Sequence, residues 1–147
     1  MSDPADVLAD LLAGRLPPGV HRWSSEADES EVVAAAARAG WACAVVDGAR
    51  ASSKYRFLAA VGRALRFPGT YGQNLDALAD LLADVPGPIV LVWEEWGALA
   101  AAEPGTFAAL VDLFSERAAD PRRPGFVVLL HGRGPDDTDS PERRPDA

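Results

Sequence analysis

Apolar residues follow two patterns along the chain, short continuous runs and helical stripes. The runs WACAVV (41–46), PIVLVW (88–93) and FVVLL (126–130) are bounded by turn residues, and their length and composition are those of buried parallel strands. Between the runs, apolar residues recur every three or four positions, which is typical of helices with one side facing a core. Strands that alternate with helices predict an α/β layered fold around a small parallel sheet, with Trp93 and Phe114 in its core.

Three helices are predicted in the central part of the chain, and each has a capping residue at its start. The first follows Ser52 or Ser53 and runs to about Leu65, the central helix follows Asn74, and the third follows Thr106. The central helix presents one apolar stripe to the core, made of Leu75, Leu78, Leu81, Leu82 and Val85.

Both ends of the chain differ from this alternating centre. The first forty residues predict a short helix with Asp3 as its cap, a short edge strand over 20–23 and an Ala-rich helix over 30–38. The last residues, GRGPDDTDSPERRPDA, are charged, Pro-rich and without apolar anchors, which predicts disorder. We therefore expect an N-terminal extension packed on the core (1–40), a core domain (41–132) and a disordered tail (133–147).

Composition limits the classes of function. The chain has 147 residues, 48% hydrophobic content and a net charge of −8, which fits one soluble domain. No apolar run approaches the ~20 residues that cross a membrane, and the acidic start lacks the basic region of a signal peptide. One cysteine fits a reducing, cytoplasmic location. The acidic balance favours a basic partner over nucleic acid or an anionic membrane.

The negative charge is concentrated in one part of the chain. No lysine or arginine lies between Arg66 and Arg117, and that interval has a net charge of −8. Its acidic residues are Asp76, Asp80, Asp84, Glu94, Glu95, Glu103, Asp112 and Glu116.

Three of these carboxylates form a stripe along the central helix. Asp76, Asp80 and Asp84 follow one another at intervals of four residues. Like charges at that spacing cost a helix roughly 0.2–0.5 kcal/mol per pair, and Asp84 also lies near the negative end of the helix dipole. A stripe that destabilises its own helix suggests a functional reason for the charge.

The residues that enzymes use for catalysis are few in this sequence. Cys43 lies inside an apolar run, where we expect a buried structural thiol. His21 lies in the N-terminal extension, and His131 at the end of the last strand, where we expect surface or strand-end side chains. There is no phosphate-binding loop and no zinc-ligand spacing, so we expect no enzyme activity and no cofactor.

The carboxylates leave two other functions open. Asp76, Asp80 and Glu116 have the chemistry of a magnesium site or an acid–base pair, as in a metal-dependent hydrolase. The same acidic surface also fits a binding module for some other basic protein.

Three segments resemble a known family. YGQNLDALADLL, PIVLVWEEW and LVDLFSE are similar to segments of the barstar family, intracellular protein inhibitors of small secreted ribonucleases, in the same order and at nearly the same spacing. The resemblance extends from about Trp41 to His131. It implies a three-stranded parallel sheet packed by helices, and an acidic loop and helix that plug a ribonuclease active site in place of RNA phosphates.

The resemblance also implies roles for individual residues. Asp76 and Asp80 match the two helix aspartates that face the catalytic Arg and Lys residues of the ribonuclease. Glu116 matches the acidic contact of the following long helix. The loop that seals the rim of the active site is matched by Tyr71, Gly72 and Asn74, although Tyr71 fits a core position equally well.

Two positions depart from the family pattern. Thr70 stands where many members have an aromatic loop residue, and Ala79 stands where a tryptophan is common. The enzyme-facing surface is therefore less aromatic, and a related secreted ribonuclease or a ribonuclease toxin domain fits as target. We expect a monomeric inhibitor whose partner-binding residues are Thr70, Tyr71, Gly72, Asn74, Asp76, Ala79, Asp80 and Glu116.

Overall fold

A four-stranded parallel sheet lies at the centre of the structure, a computed structural model that describes residues 4–23, 29–69, 71–132 and 134. The strands are β1 (Gly19–Trp23), β2 (Ala42–Asp47), β3 (Ile89–Glu94) and β4 (Phe126–His131), in the order β1-β4-β3-β2. The predicted α/β class is confirmed. The expectation of three strands is wrong for the whole sheet, because the predicted short edge strand, β1, pairs in parallel with β4 and makes it four.

Six α-helices surround the sheet in the described residues. They are α1 (Pro4–Leu12), α2 (Glu29–Ala39), α3 (Lys54–Ala64), α4 (Leu75–Leu82), α5 (Gly97–Ala102) and α6 (Pro104–Ala118). The connection from β1 to β2 crosses the sheet in one direction, and the connections through β3 to β4 return in the other. Because such crossovers are right-handed, the two directions place their helices on opposite faces.

The helices form two cores, one on each face of the sheet. Side chains of α3, α4, α5 and α6 pack with Leu91 and Trp93 on one face. Side chains of α1 and α2 pack with Val90 and Val92 on the other face. Alternate residues of a strand point to opposite faces, so a strand covered on both sides must be apolar, as β3 and β4 are up to their last residues, Glu94 and His131.

The helix starts only partly follow the prediction. Ser53 caps α3 and Asn74 caps α4, as expected. The predicted cap of the third helix is wrong, because α6 begins at Pro104 after Glu103, and Thr106 donates its hydroxyl to Glu103 Oε1 at 3.0 Å. The predicted cap Asp3 and the tail from residue 135 onward lie outside the described residues.

Two predicted structural residues differ from expectation in burial. Cys43 is half-buried, and burial, together with the charge of Glu29, raises the pKa of its thiol to about 11. His131 ends β4 as expected, but it is buried rather than on the surface. Its Nδ1 lies 2.9 Å from the carboxylate of Glu94, and its ring lies 4.9 Å from that of Trp23. No helix in the described part of the chain has the length and apolarity needed to cross a membrane.

Candidate protein-binding face

The loop before α4 is a short, well-defined turn. Tyr71 N–H donates to Pro68 O at 2.9 Å, and Gln73 has a φ of 53°, in the left-handed region. Asn74 then caps α4, because its Oδ1 accepts the N–H of Ala77 at 2.7 Å. A Cβ at Gly72 would lie 3.1 Å from Asn74 Nδ2, so glycine leaves room for this cap. Thr70, a predicted contact, lies outside the described residues.

Tyr71 joins this loop to α3. Its ring is half-buried and packs edge-on against Phe67, with ring centroids 5.1 Å apart. A Cβ at Gly62 would come within 2.7 Å of the Tyr71 ring, so that glycine allows the close approach. The hydroxyl is buried without a hydrogen-bond partner in the described structure, and burial raises its pKa to about 12. Of the two positions open to it, Tyr71 therefore lies mainly in the packing beneath the loop.

Five carboxylates on α4, in the turn after it and on α6 are exposed and have no ion-pair partner among the described residues. They form what we call the acidic face: Asp76, Asp80, Asp84, Asp112 and Glu116. Asp76 and Asp80 are one turn apart on α4, a rise of about 6 Å. Asp84, predicted on the same helix, lies instead in the turn after its last residue, Leu82. Both helices also contribute to one apolar core, so the acidic face has a rigid support.

A groove between α4 and α6 brings two predicted contact residues together. Ala79 of α4 and Glu116 of α6 both line it, and its volume is about 150 Å³. Leu82 and Leu113 also line the groove. The small side chain of Ala79 therefore leaves an opening beside the exposed carboxylate of Glu116.

Arg117 fixes α4 against α6, a role that no local sequence pattern indicates. The side chain is only 5% exposed. Its Nε donates to Leu82 O at 2.7 Å, and its Nη2 to Val85 O at 2.5 Å. A guanidinium that binds the carbonyls at the end of a helix satisfies acceptors the helix leaves open and opposes the negative end of its dipole. Arg117 thus closes the C-terminal end of the helix that carries the aspartates.

Two other acidic residues of the same interval are structural. Glu94 binds His131 at 2.9 Å. Glu103 accepts the backbone N–H of Lys54 at 3.1 Å and joins the start of α6 to the start of α3. All eight acidic residues belong to one negative interval of the sequence. In the structure, however, the carboxylates of Glu94 and Glu103 bond to other elements of the fold and hold them together.

The metal-site alternative is not supported by the arrangement of the carboxylates. In residues 4–23, 29–69, 71–132 and 134, no group of three or more His, Cys, Asp or Glu side chains is placed to hold a metal ion. The three residues suggested for such a site, Asp76, Asp80 and Glu116, are exposed.

Comparison with known families identifies the class of protein that carries this face. The family model Barstar, described as barnase inhibitor, matches residues 41–131, more than half of the chain. The chain belongs to the barstar family. The match contains α3, α4, α5, α6 and three of the four strands, and therefore the whole acidic face. No curated protein matches this barstar-family chain significantly.

Solved structures add information on the fold alone. The Aeropyrum pernix ORC2 protein in its ADPNP–ADP complexes is similar with a TM-score of 0.59 at 17% identity, over 89% of this chain and 39% of that one. Its ADP form has a TM-score of 0.59 at 18% identity, over 90% and 40%. The barstar-family chain thus spans well under half of those proteins, and the likeness reflects the α/β arrangement.

Proposed function

We propose that this protein inhibits a small basic secreted ribonuclease or a ribonuclease toxin domain by covering its active site. The observation that carries the proposal is the acidic face, five exposed carboxylates without ion-pair partners in the described structure, within the segment matched by the Barstar model. Like-charged side chains one turn apart destabilise the helix that bears them, so their presence on α4 is explained by a cationic partner.

The chemistry of a ribonuclease active site fits this face. Such a site must bind phosphates, so it presents arginine and lysine side chains to its substrate. Asp76 and Asp80, held one turn apart on a capped helix, offer two anions at fixed spacing, and little ordering entropy is lost on binding. Arginine forks bind carboxylates through paired hydrogen bonds, as they bind phosphates. The acidic helix then takes the place of the RNA backbone.

The remaining predicted contacts have supporting roles in the proposal. Gly72 and Asn74 are exposed in the loop before α4, where they would seal the rim of the ribonuclease site. Ala79 and Glu116 share the groove between the helices, which would receive one basic side chain of the enzyme beside the Glu116 carboxylate. Tyr71 would act from beneath, by holding the loop in place.

An inhibition assay tests this function directly. Secreted basic ribonucleases and ribonuclease toxin domains from the same source are assayed for RNA cleavage with and without the purified protein. We expect stoichiometric inhibition of at least one of them and a one-to-one complex of monomers on a sizing column. If none is inhibited or bound, while the protein captures a basic protein without nuclease activity, the acidic face is instead a general binding module.

A further inference from the structure

The open edge of the sheet at β2 has unpaired backbone groups. β2 lies at one end of the strand order. Ala42 N–H donates to Pro88 O at 3.1 Å and Gly48 N–H to Glu94 O at 2.7 Å, so the even-numbered residues of β2 turn their backbone groups toward β3. Cys43 and Val45 therefore turn theirs outward. In the described structure no backbone group bonds to them on that side.

A groove lies beside this edge, between β2 and α3. Its volume is about 720 Å³, within the range of binding sites. Its walls include Val45 and Val46 of β2, alanines of α3, and Gln73 at the rim. Four charged residues line it, the arginines Arg50, Arg56 and Arg63 and the carboxylate Asp47, which pairs with Arg50. Tyr55, 68% exposed, also lines the groove.

The groove belongs to a basic stretch of an acidic chain. Residues 48–75 contain five basic and no acidic residues, immediately before the acidic interval. Arg56 and Arg63 are exposed, and neither guanidinium has an ion-pair partner in the part of the chain described. Arg50 has one loose pair, 3.6 Å from Asp47. The net charge of −8 therefore conceals a basic surface on α3.

We propose that this groove binds an extended acidic segment of a partner protein, which joins the sheet as a fifth strand beside β2. The backbone of the segment would bond to the outward N–H and C=O groups of Cys43 and Val45, as in other complexes formed at a sheet edge. Every second side chain of the segment would face α3, where carboxylates meet Arg56 and Arg63. Tyr55 would cover an apolar side chain of the segment.

The alternative role for these arginines is protection of the edge. Charged side chains on an edge strand prevent edge-to-edge aggregation. Protection requires charge alone, and it accounts for neither the groove nor the exposed tyrosine ring. Tyrosine and arginine together are the residues enriched where proteins bind one another. The arrangement therefore favours binding, and it does so independently of the acidic face on α4 and α6.

Peptide binding to the full chain tests the inference. The probe is a fluorescent peptide of about eight residues, the length of an ordinary strand, that alternates glutamate and valine and has blocked ends. We expect saturable binding that weakens as ionic strength rises from roughly 0.05 to 0.3 M. The double variant Arg56→Gln, Arg63→Gln should bind roughly five- to tenfold more weakly, because two ion pairs are lost. The amide hydrogens of Cys43 and Val45 should exchange more slowly in the complex.

Matched controls separate strand pairing at the β2 edge from nonspecific electrostatic attraction. Arg38→Gln removes an exposed arginine from α2, on the other face of the sheet, and should leave binding within roughly twofold of the wild type. A peptide methylated on alternate backbone nitrogens should lose binding, because it cannot pair with the edge. A lysine–valine peptide should not bind.

Several results would overturn the inference. Absence of binding, equal binding by the double variant, or unprotected amides at Cys43 and Val45 would leave the arginines as edge protection. Preference for an oligouridylate over the acidic peptide would assign the groove to nucleic acid. Tighter peptide binding after removal of residues 135–147 would assign it to the chain's own acidic tail. None of these assays contains a ribonuclease, so their failure leaves the inhibition result unaffected.

Discussion

Asp80 is the residue that best separates two interpretations of the acidic face, a solvated helix surface and a surface that binds a ribonuclease. It is exposed on α4, four residues after Asp76 on the same helix and four residues before Asp84 in the turn that follows. Asp80→Ala removes two like-charge repulsions and raises helix propensity, so the free energy of unfolding should rise by several tenths of a kcal/mol. In an inhibitor the same change leaves cationic groups of the enzyme buried without an anion. Truncation of one partner of a buried charge pair at an interface costs ~2–5 kcal/mol, mostly as faster dissociation.

Asp84→Ala is the matched control for this prediction. It lies in the turn after α4, four residues beyond Asp80, and outside the residues that the family resemblance assigns to the partner. We expect its stability to rise as well and its inhibition to change little. Thermal unfolding and RNA cleavage are measured on both variants. Full inhibition of a confirmed target by Asp80→Ala would refute the assignment of Asp80 as a contact.

Tyr71 provides a second test at a single residue. Its buried hydroxyl has no hydrogen-bond partner in the described structure, and an unsatisfied buried polar group costs ~1–3 kcal/mol. Tyr71→Phe keeps the edge-on packing against Phe67 and removes that cost. We therefore expect a higher melting temperature and unchanged inhibition. A stable Tyr71→Phe variant that inhibits at least tenfold less well would show instead that the hydroxyl bonds to the enzyme.

At the scale of the element, α4 is a short helix stabilised at both ends. It has eight residues, which is too few for a stable isolated helix. Asn74 caps its start, and Arg117 binds the carbonyls of Leu82 and Val85 at its end. Leu78 and Leu82 anchor its inner side in the core. The spacing of the aspartates on its outer side is therefore fixed before any partner arrives.

Loss of the Arg117 side chain should disturb this helix. Arg117→Met keeps much of the side-chain volume but leaves buried carbonyls without donors, so we expect a loss of about 3 kcal/mol in the free energy of unfolding. Inhibition should fall with it at temperatures where the protein is still folded, because α4 loses its fixed position. Denaturant unfolding and the cleavage assay measure the two effects.

The control for Arg117 is a nearby exposed arginine. Arg122 is 82% exposed at its side chain and pairs with Asp120 alone at 3.1 Å in the described structure. Arg122→Met should change stability by no more than roughly 0.5 kcal/mol. Equal effects of the two substitutions would contradict the role assigned to Arg117.

Local patterns allowed the elements to be predicted, whereas contacts distant in sequence could not be. The caps Ser53 and Asn74 were predictable because a cap bonds within three residues of itself. The predicted start of α6 was wrong because two start signals lie close together. Pro104 suits the first position of a helix, and Thr106 suits a cap. The helix α5, GALAAA, has no polar side to reveal its period.

The candidate site shows the same limit. The stripe of Asp76, Asp80 and Asp84 is visible in the sequence because it repeats at helical spacing, although α4 ends before Asp84. The roles of Arg117 and His131 depend on partners 35 and 37 residues away, and no local pattern indicates such pairs. An arginine after an acidic helix face has the sequence appearance of a solvated charge, although Arg117 is buried beneath α4.

At the scale of the whole molecule, charge is separated into two surfaces. The basic stretch on α3 precedes the acidic interval, and the two meet at the loop around Gln73. A target that approaches with a basic active site is attracted by α4 and α6 and repelled by α3. The separation therefore favours one orientation of the encounter as well as its rate.

The rate of association follows from this field. Proteins without electrostatic steering associate at about 10⁵–10⁶ M⁻¹s⁻¹, and complementary charges raise the rate toward 10⁸–10⁹ M⁻¹s⁻¹ at low salt. We expect association with the target ribonuclease to be faster than the unsteered rate and to slow steeply as salt is added, because exposed charges are screened beyond ~8–10 Å at physiological ionic strength. Dissociation should change much less, since contacts in a closed interface are screened less.

Stopped-flow mixing over a salt series measures both rates. Asp112→Asn offers a useful comparison, because Asp112 is an exposed member of the acidic face on α6 and no family contact is assigned to it. Its removal should slow association slightly and leave dissociation unchanged, whereas Asp80→Ala should mainly speed dissociation. Rim charges act on the encounter and buried pairs on the lifetime of the complex. An association rate that is independent of salt would show that the acidic face does not steer the partner, and the phosphate-mimic proposal would then fail at its electrostatic step.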